Sequence, residues 1–285
     1  MSIPHLSYSS IKAFERCPKS YQLSRVIGAQ PLPAVYFALG TAVHEITESM
    51  DLAEKSQFTQ SSTDVRRYTG DDFREVYFDE IRKGLAKEPD MDKWLCGGSD
   101  GPRAAAELAL DTGPRCIKNW KSFTSKDFKV TDIELDVTCR LPGMYLKTKG
   151  FIDRLGDHVK HGRMIVDIKT GKNKPKDKGQ QLGDYAALLT ASTGEVVTKG
   201  AYFMAQEGKL SKVYDLSEHT PESLGSANKT WLQEMNRSDY EPKVEYTCRF
   251  CDQQLNCFAY SGDTARTRFY DPLNPRFDKR NEVPF

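Results

Sequence analysis

The chain has 285 residues, with 41 basic against 40 acidic side chains and a formal net charge of +1. So even a balance excludes a protein that grips nucleic acid through its global charge; any phosphate contact must come from local basic patches. There is no apolar run of about eighteen residues, no secretory leader in Met1-Ser2-Ile3-Pro4-His5 and no G-x-x-x-x-G-K-[ST] phosphate loop. The sequence therefore reads as a cytoplasmic protein with no membrane span and no ATP-driven motor.

In chain order, Ser7, Ser9 or Ser10 caps a helix over residues 7–27, with Ile11, Phe14, Tyr21, Leu23 and Val26 as its apolar positions. Gln30-Pro31-Leu32-Pro33 breaks it. A second helix over 35–55 carries Gly40-Thr41-Ala42-Val43-His44-Glu45, and 58–69 is polar and loop-like. Further helices span 71–87 and 102–123, on either side of a Gly97–Gly101 turn. Strand character runs from near Lys129 to Lys169 in three stretches, interrupted at Pro142-Gly143 and at 157–162. A basic loop over 172–178 leads to a helix over 179–193. Strands at 196–206 and 211–216 follow, then a helix over 221–235, a cysteine cluster and, after Tyr260, a charged tail without periodicity. Helices first, then strands with a crossover helix, predict an α/β core capped by N-terminal helices.

The most informative segments are Gly150-Phe151-Ile152-Asp153-Arg154 and Val166-Asp167-Ile168-Lys169-Thr170-Gly171. Both read as strands. Alternation puts Asp167 and Lys169 on one side with Ile168 opposite, so two carboxylates and one ammonium converge. Mg²⁺ and Mn²⁺ favour hard oxygen ligands, and a lysine beside such an ion can hold water or steady a phosphate; these parts suit phosphodiester hydrolysis. On the following helix, Gln181 and Tyr185 are spaced i, i+4 and share a face. His44 would add a neutral imidazole, which makes the site more accepting of Mn²⁺. Lys172, Lys174, Lys176 and Lys178 follow the Asp-Ile-Lys strand and would offset repulsion between an acidic site and DNA. Among the aromatics, Tyr8, Phe14, Tyr21, Tyr36 and Phe37 are either core or platforms for single-stranded bases.

Of the seven cysteines, Cys96, Cys116 and Cys139 lie in helix or strand contexts. Cys248-x2-Cys251-x5-Cys257 offers three thiolates within one short loop, and Cys17 in Arg16-Cys17-Pro18 is the candidate fourth. An odd count without a leader argues against a disulfide framework. The spacing alone suits tetrahedral Zn²⁺ and an iron–sulfur cluster equally, with unliganded buried thiols as the remaining option.

Taken in order, Gly40-x-x-x-His44, Gly-Phe-Ile-Asp153-Arg, Val-Asp167-Ile-Lys169-Thr-Gly and Gln181-x-x-x-Tyr185 resemble the PD-(D/E)XK nuclease superfamily. The similarity is to its RecB-like branch, which includes the AddB nuclease domain and the CRISPR-associated RecB-like exonucleases. The resemblance implies a restriction-endonuclease-like fold, a mixed central β-sheet flanked by helices under an N-terminal helical cap. It divides the chain into a helical region over 1–127 carrying His44 and Cys17, a nuclease core with the cysteine cluster over 128–260, and a loosely ordered tail over 261–285. It implies that His44, Asp153, Asp167 and the Ile168 carbonyl hold Mg²⁺ or Mn²⁺, with Lys169 as catalytic lysine. Gln181 and Tyr185 would position DNA or the lysine, and Glu134 or Asp136 would support the site. It turns the cysteine reading toward a 4Fe–4S cluster on Cys17, Cys248, Cys251 and Cys257, with zinc as the alternative. The implied activity is a DNA exonuclease acting on single-stranded ends; the alternative is a non-catalytic DNA-binding or complex-forming module on the same fold. The C-terminal Asn281-Glu282-Val283-Pro284-Phe285 resembles the peptide tip by which bacterial single-stranded DNA-binding proteins recruit partners. That implies docking of Phe285 on a replication, repair or recombination protein, or on this protein's own surface.

Overall fold

The computed structural model describes residues 5–59, 68–97 and 100–261, so the C-terminal tip lies outside the described residues. The chain opens with a short strand β1 (Leu6–Ser7) and helix α1 (Tyr8–Arg16). A capping box starts α1: the Ser10 N–H donates to the Ser7 hydroxyl and the Ser7 N–H to the Ser10 hydroxyl. The single helix expected over 7–27 is broken at Cys17. Proline disfavours helical backbone in the residue before it, so Cys17 is extended, with φ −160° and ψ 109°. The chain restarts as α2 (Pro18–Tyr21), widens into a π-helical turn over Gln22–Ile27 and stops at Gly28, whose φ of 78° is left-handed.

Three long helices follow, α3 (Val35–Thr59), α4 (Phe73–Lys87) and α5 (Gly101–Lys126). Then come β2 (Phe128–Asp136), β3 (Cys139–Arg140), β4 (Lys147–Lys149), β5 (Phe151–His158) and β6 (Gly162–Lys169). Helix α6 (Gln180–Thr193) leads to β7 (Lys199–Met204), β8 (Lys209–Leu210) and β9 (Tyr214–Asp215). Helix α7 (Pro221–Arg237) and, past the cysteine segment, α8 (Phe258–Ser261) complete the described chain. The interruption at Pro142-Gly143 falls where expected, as a turn between β3 and β4, but the stretches on either side of it are each split again, between β2 and β3 at residues 137–138 and between β4 and β5 at Gly150.

The main sheet runs β2-β5-β6-β7-β8, with β9 also pairing β7. β2, β5 and β6 are antiparallel neighbours, whereas β6 and β7 are parallel and joined by the crossover helix α6. This is the mixed α/β fold expected. A second small sheet, β1-β4-β3, ties the N-terminus to the β3–β4 turn.

Alternation along β6 divides the interior in two. Met164, Val166 and Ile168 pack with Ala42, Val43 and Ile46 of α3 and with Trp120 of α5. Ile165 packs on the other face with Leu182, Ala186 and Leu189 of α6 and with Phe14 of α1. Asp167 and Lys169 share the Ile165 face by the two-residue period. Among the described residues no helix is long and apolar enough to cross a membrane.

The helical layer is packed to contact. A Cβ built on Gly113 of α5 would overlap the Phe73 ring of α4, which stacks on Tyr77 with centroids 5.5 Å apart. Alanine in a helix is favoured over glycine by about 1 kcal/mol, but overpacking costs roughly 1–3 kcal/mol. Gly113→Ala should therefore lower stability by urea denaturation, and a midpoint at or above that of the wild type would contradict this packing.

Candidate active site

Four segments far apart in sequence meet where α3 crosses the C-terminal end of β6. His44 projects from α3, and its Nε2 lies 3.1 Å from the Ile168 carbonyl oxygen. A carbonyl only accepts, so Nε2 donates to it, and Nδ1 faces Asp153 Oδ2, 3.7 Å away. Asp153 on β5 also accepts the Ile168 N–H at 2.9 Å, which locks its carboxylate to β6. Glu134 on β2 completes the group: among the described residues, His44, Glu134 and Asp153 offer ligand-type atoms all within 4.8 Å of one another. The choice left open between Glu134 and Asp136 falls to Glu134. Asp136 is exposed and accepts the Thr138 N–H at 2.8 Å instead. Glu134 has φ +45°, a left-handed conformation that costs a residue with a Cβ roughly 1–2 kcal/mol. Burial, then Asp153, raises the Glu134 pKa against the opposing charge of Arg154.

Asp167 is 2 % exposed and Lys169 Nζ lies 2.7 Å from its Oδ2. The geometry is that of an ion pair without a directed hydrogen bond, and Oδ2 is left a buried acceptor with no hydrogen-bond donor. Burial, then Asp153, pushes the Asp167 carboxyl up to about 7. Desolvation pulls Lys169 down, but Asp167 and then Asp153 outweigh it, so the lysine is held above its ordinary value and stays charged. Lys169 Nζ also donates to Gln181 Oε1 at 3.2 Å, and Gln181 Nε2 donates to the Tyr185 hydroxyl at 2.9 Å. The i, i+4 pair on α6 is thus wired to the lysine.

Two supports escaped the sequence reading. Arg154 is fully buried: Nε donates to Asp51 Oδ2 at 2.5 Å, and Nη1 to Glu134 Oε1 at 3.3 Å and to the Asp153 carbonyl at 2.7 Å. Asp51 in turn accepts from Trp120 Nε1 at 3.1 Å, and burial raises its pKa against Arg154 and Trp120. The available signal was helical spacing, since His44, Thr47 and Asp51 fall on one face of α3. The second support is Asp177. It accepts Tyr202 and Tyr8 hydroxyls at 2.6 and 3.0 Å and the N–H groups of Gly179 and Gln181 at the start of α6. Burial alone would raise its pKa; these bonds, Tyr202 first, hold it below the usual carboxylate range.

Lys172, Lys174, Lys176 and Lys178 are all exposed on the loop between β6 and Asp177's anchor. Cys17, Cys248, Cys251 and Cys257 line one cavity, with Arg16 and Lys243 at its wall. Their sulfurs do not form a set of three within 4.8 Å of one another. Burial raises the Cys251 and Cys257 thiols.

A family model described as the PD-(D/E)XK nuclease superfamily matches residues 5–258, and the chain belongs to that superfamily. Two relatives are each described as "Gene 69 protein". That of Mycobacterium phage D29 is 27% identical over 90% of this chain and 97% of its own length. That of Mycobacterium phage L5 is 28% identical over 90% and 96%. The solved structure described as "Crystal structure of SSO0001" overlays 79% of this chain and 95% of that one at 14% identity. Its TM-score is 0.36, too low a likeness to bear on the site.

The protonation of Asp167 has a measurable consequence. With its pKa raised to about 7 in the native state and near 4 when unfolded, the native state holds a proton that the unfolded chain has released. Its contribution to stability is complete below about pH 4 and lost as pH rises through about 7. In EDTA, Asp167→Asn should flatten the fall in melting temperature between about pH 4 and 7; an unaltered slope would place the titrating group elsewhere.

Proposed function

We propose that this chain is a divalent-metal-dependent deoxyribonuclease acting at single-stranded DNA ends. The observation that carries the reading is the convergence of His44, Glu134 and Asp153, whose ligand-type atoms lie within 4.8 Å of one another, beside the buried Asp167–Lys169 pair. Three carboxylates, Glu134, Asp153 and Asp167, face only Lys169 and Arg154 as cations there, and a further cation would offset the excess negative charge. Carboxylate oxygens with one imidazole fit Mg²⁺ or Mn²⁺. His44, Asp153 and Asp167 would hold the ion, with Glu134 in support, and the Ile168 carbonyl keeps a second lone pair for it beside the His44 bond. When bound, such an ion supplies Lewis-acid charge and lowers the pKa of a water.

The chain's own groups do the rest. Lys169, held charged by Asp167 and aimed by Gln181, steadies negative charge on the phosphate and orients the attacking water as a donor. Tyr185 fixes the rotamer of Gln181. The exposed lysines of the 172–178 loop lead the DNA backbone toward an otherwise repulsive acidic centre.

The four-cysteine cavity supports a 4Fe–4S cluster. Cys17 from the start of the chain and Cys248, Cys251 and Cys257 from its end line that one cavity, which is what a shared centre on these four thiols would require; zinc is the alternative. The raised thiols of Cys251 and Cys257 would ionise only against such a positive centre.

Asp153→Asn should lose Mn²⁺ binding by calorimetry and cleavage of labelled single strands, while Lys169→Ala should lose cleavage by about 100-fold or more and keep the Mn²⁺. Equal loss of metal by both variants would overturn this division of roles, and wild-type activity in Asp153→Asn would overturn the site. Linear but not circular single strands should be degraded; equal cutting of both would make the enzyme an endonuclease. Anaerobically purified protein should contain iron and sulfide, reduced in Cys248→Ala and Cys17→Ser; stoichiometric zinc without iron would rule out the cluster.

A further inference from the structure

Phe37 is 60% exposed, an aromatic surface the core does not use, and among the described residues its ring contact is with Tyr36 at 4.7 Å. Its position is what gives it meaning. Phe37 and His44 are seven residues apart on α3, hence on the same face and about 10 Å apart along the axis. The chain leaving β6 runs back along that face. The Ile168 carbonyl meets His44, and Thr170 Oγ1 comes within 3.4 Å of where a Cβ on Gly40 would stand. The residues that continue this path, Gly171 and Lys172, are exposed. Phe37 therefore lies about two helical turns from the acidic centre on one face of α3, and the chain that leaves β6 past Gly40 goes on to the exposed Lys172.

We propose that Phe37 is a base-stacking residue for single-stranded DNA, with Lys172 taking an adjacent phosphate, about one or two nucleotides from the bond to be cut. The inference deepens the nuclease reading and rests on it for the direction of the strand. The chemistry favours a polynucleotide over a protein partner, since an exposed ring on the helix face that leads to the acidic centre, with exposed lysines on the loop that leaves β6, suits a base and its phosphates. It favours a single strand over a duplex, because only an unpaired, unstacked base offers its face. Phe37 touches no reacting atom; it sets which substrates are held.

The test compares wild type, Phe37→Leu and Phe37→Trp, all full-length, on labelled single strands. Anisotropy in Ca²⁺ measures binding; Mn²⁺ assays measure cleavage. Phe37→Leu, apolar but without a π-face, should raise Kd and KM roughly 5- to 100-fold with kcat little changed, and Phe37→Trp should restore both. A single abasic nucleotide walked along the strand should find one position that weakens wild type and has no further effect in Phe37→Leu. Bis(p-nitrophenyl) phosphate, a phosphodiester without bases, should be hydrolysed equally by all three. Unchanged Kd and KM in Phe37→Leu, as for a ring that docks a protein, would overturn the proposal. So would abasic effects identical in the two proteins, or loss of bis(p-nitrophenyl) phosphate hydrolysis confined to Phe37→Leu. If wild type binds single strands through Phe37 but cuts nothing, the nuclease reading fails while the stacking site stands.

Discussion

The buried guanidinium of Arg154 is the contact on which the rest of the site depends. It joins β5 to α3 through Asp51 and Thr47, to β2 through Glu134, and to α5 through the Trp120 ring, 5.7 Å away. A charge this deep is tolerated only when fully partnered, and removing one partner of a buried pair costs about 3–5 kcal/mol. Such a network adds little net stability compared with an apolar core, but it admits very few geometries. Here that selectivity falls on the acidic centre. Arg154 fixes the distance from α3 to the sheet, and with it the reach of His44; it also draws Glu134 inward.

A second anchor controls the opposite flank. Asp177 gathers two phenols and two N–H groups at the start of α6, so the lysine loop is pinned at its far end while its lysines remain in water. Tyr202, which binds Asp177, also lies under the Lys169 ammonium at 5.4 Å from its ring centroid. The lysine is thereby enclosed by Asp167, Gln181 and an aromatic face. These three contacts hold its side chain in one orientation, the preorganisation that its proposed role requires.

Much of this was legible in the sequence because it rests on short-range rules. Strand alternation put Asp167 and Lys169 on one face, and helical spacing joined Gln181 to Tyr185; both are local geometry. The order of helices, strands and crossover helix gave the fold class for the same reason. What escaped depends on tertiary context. Glu134 and Asp136 share a strand face, and only the left-handed turn of backbone at Glu134 separates them. Arg154 appears in the sequence only as the residue after Asp153, and its burial against α3 is a tertiary fact. The break at Cys17 was signalled by Pro18, but a strong apolar pattern through Tyr21 and Val26 masked it.

The last described segment returns to the first. Lys243 Nζ donates to the Glu15 carbonyl, Asn256 Nδ2 to that of Gln30, and the Leu32 N–H to the Asp252 carbonyl. These contacts span more than two hundred residues, so loop closure must be met before they reward the chain, and a late place in folding is the expectation for them. Interactions made after the folding barrier leave the refolding rate alone and slow the unfolding rate. The centre proposed for the cysteines would bridge these same segments and act in that direction. The clasp would then serve persistence more than equilibrium stability: it lengthens the lifetime of the folded enzyme.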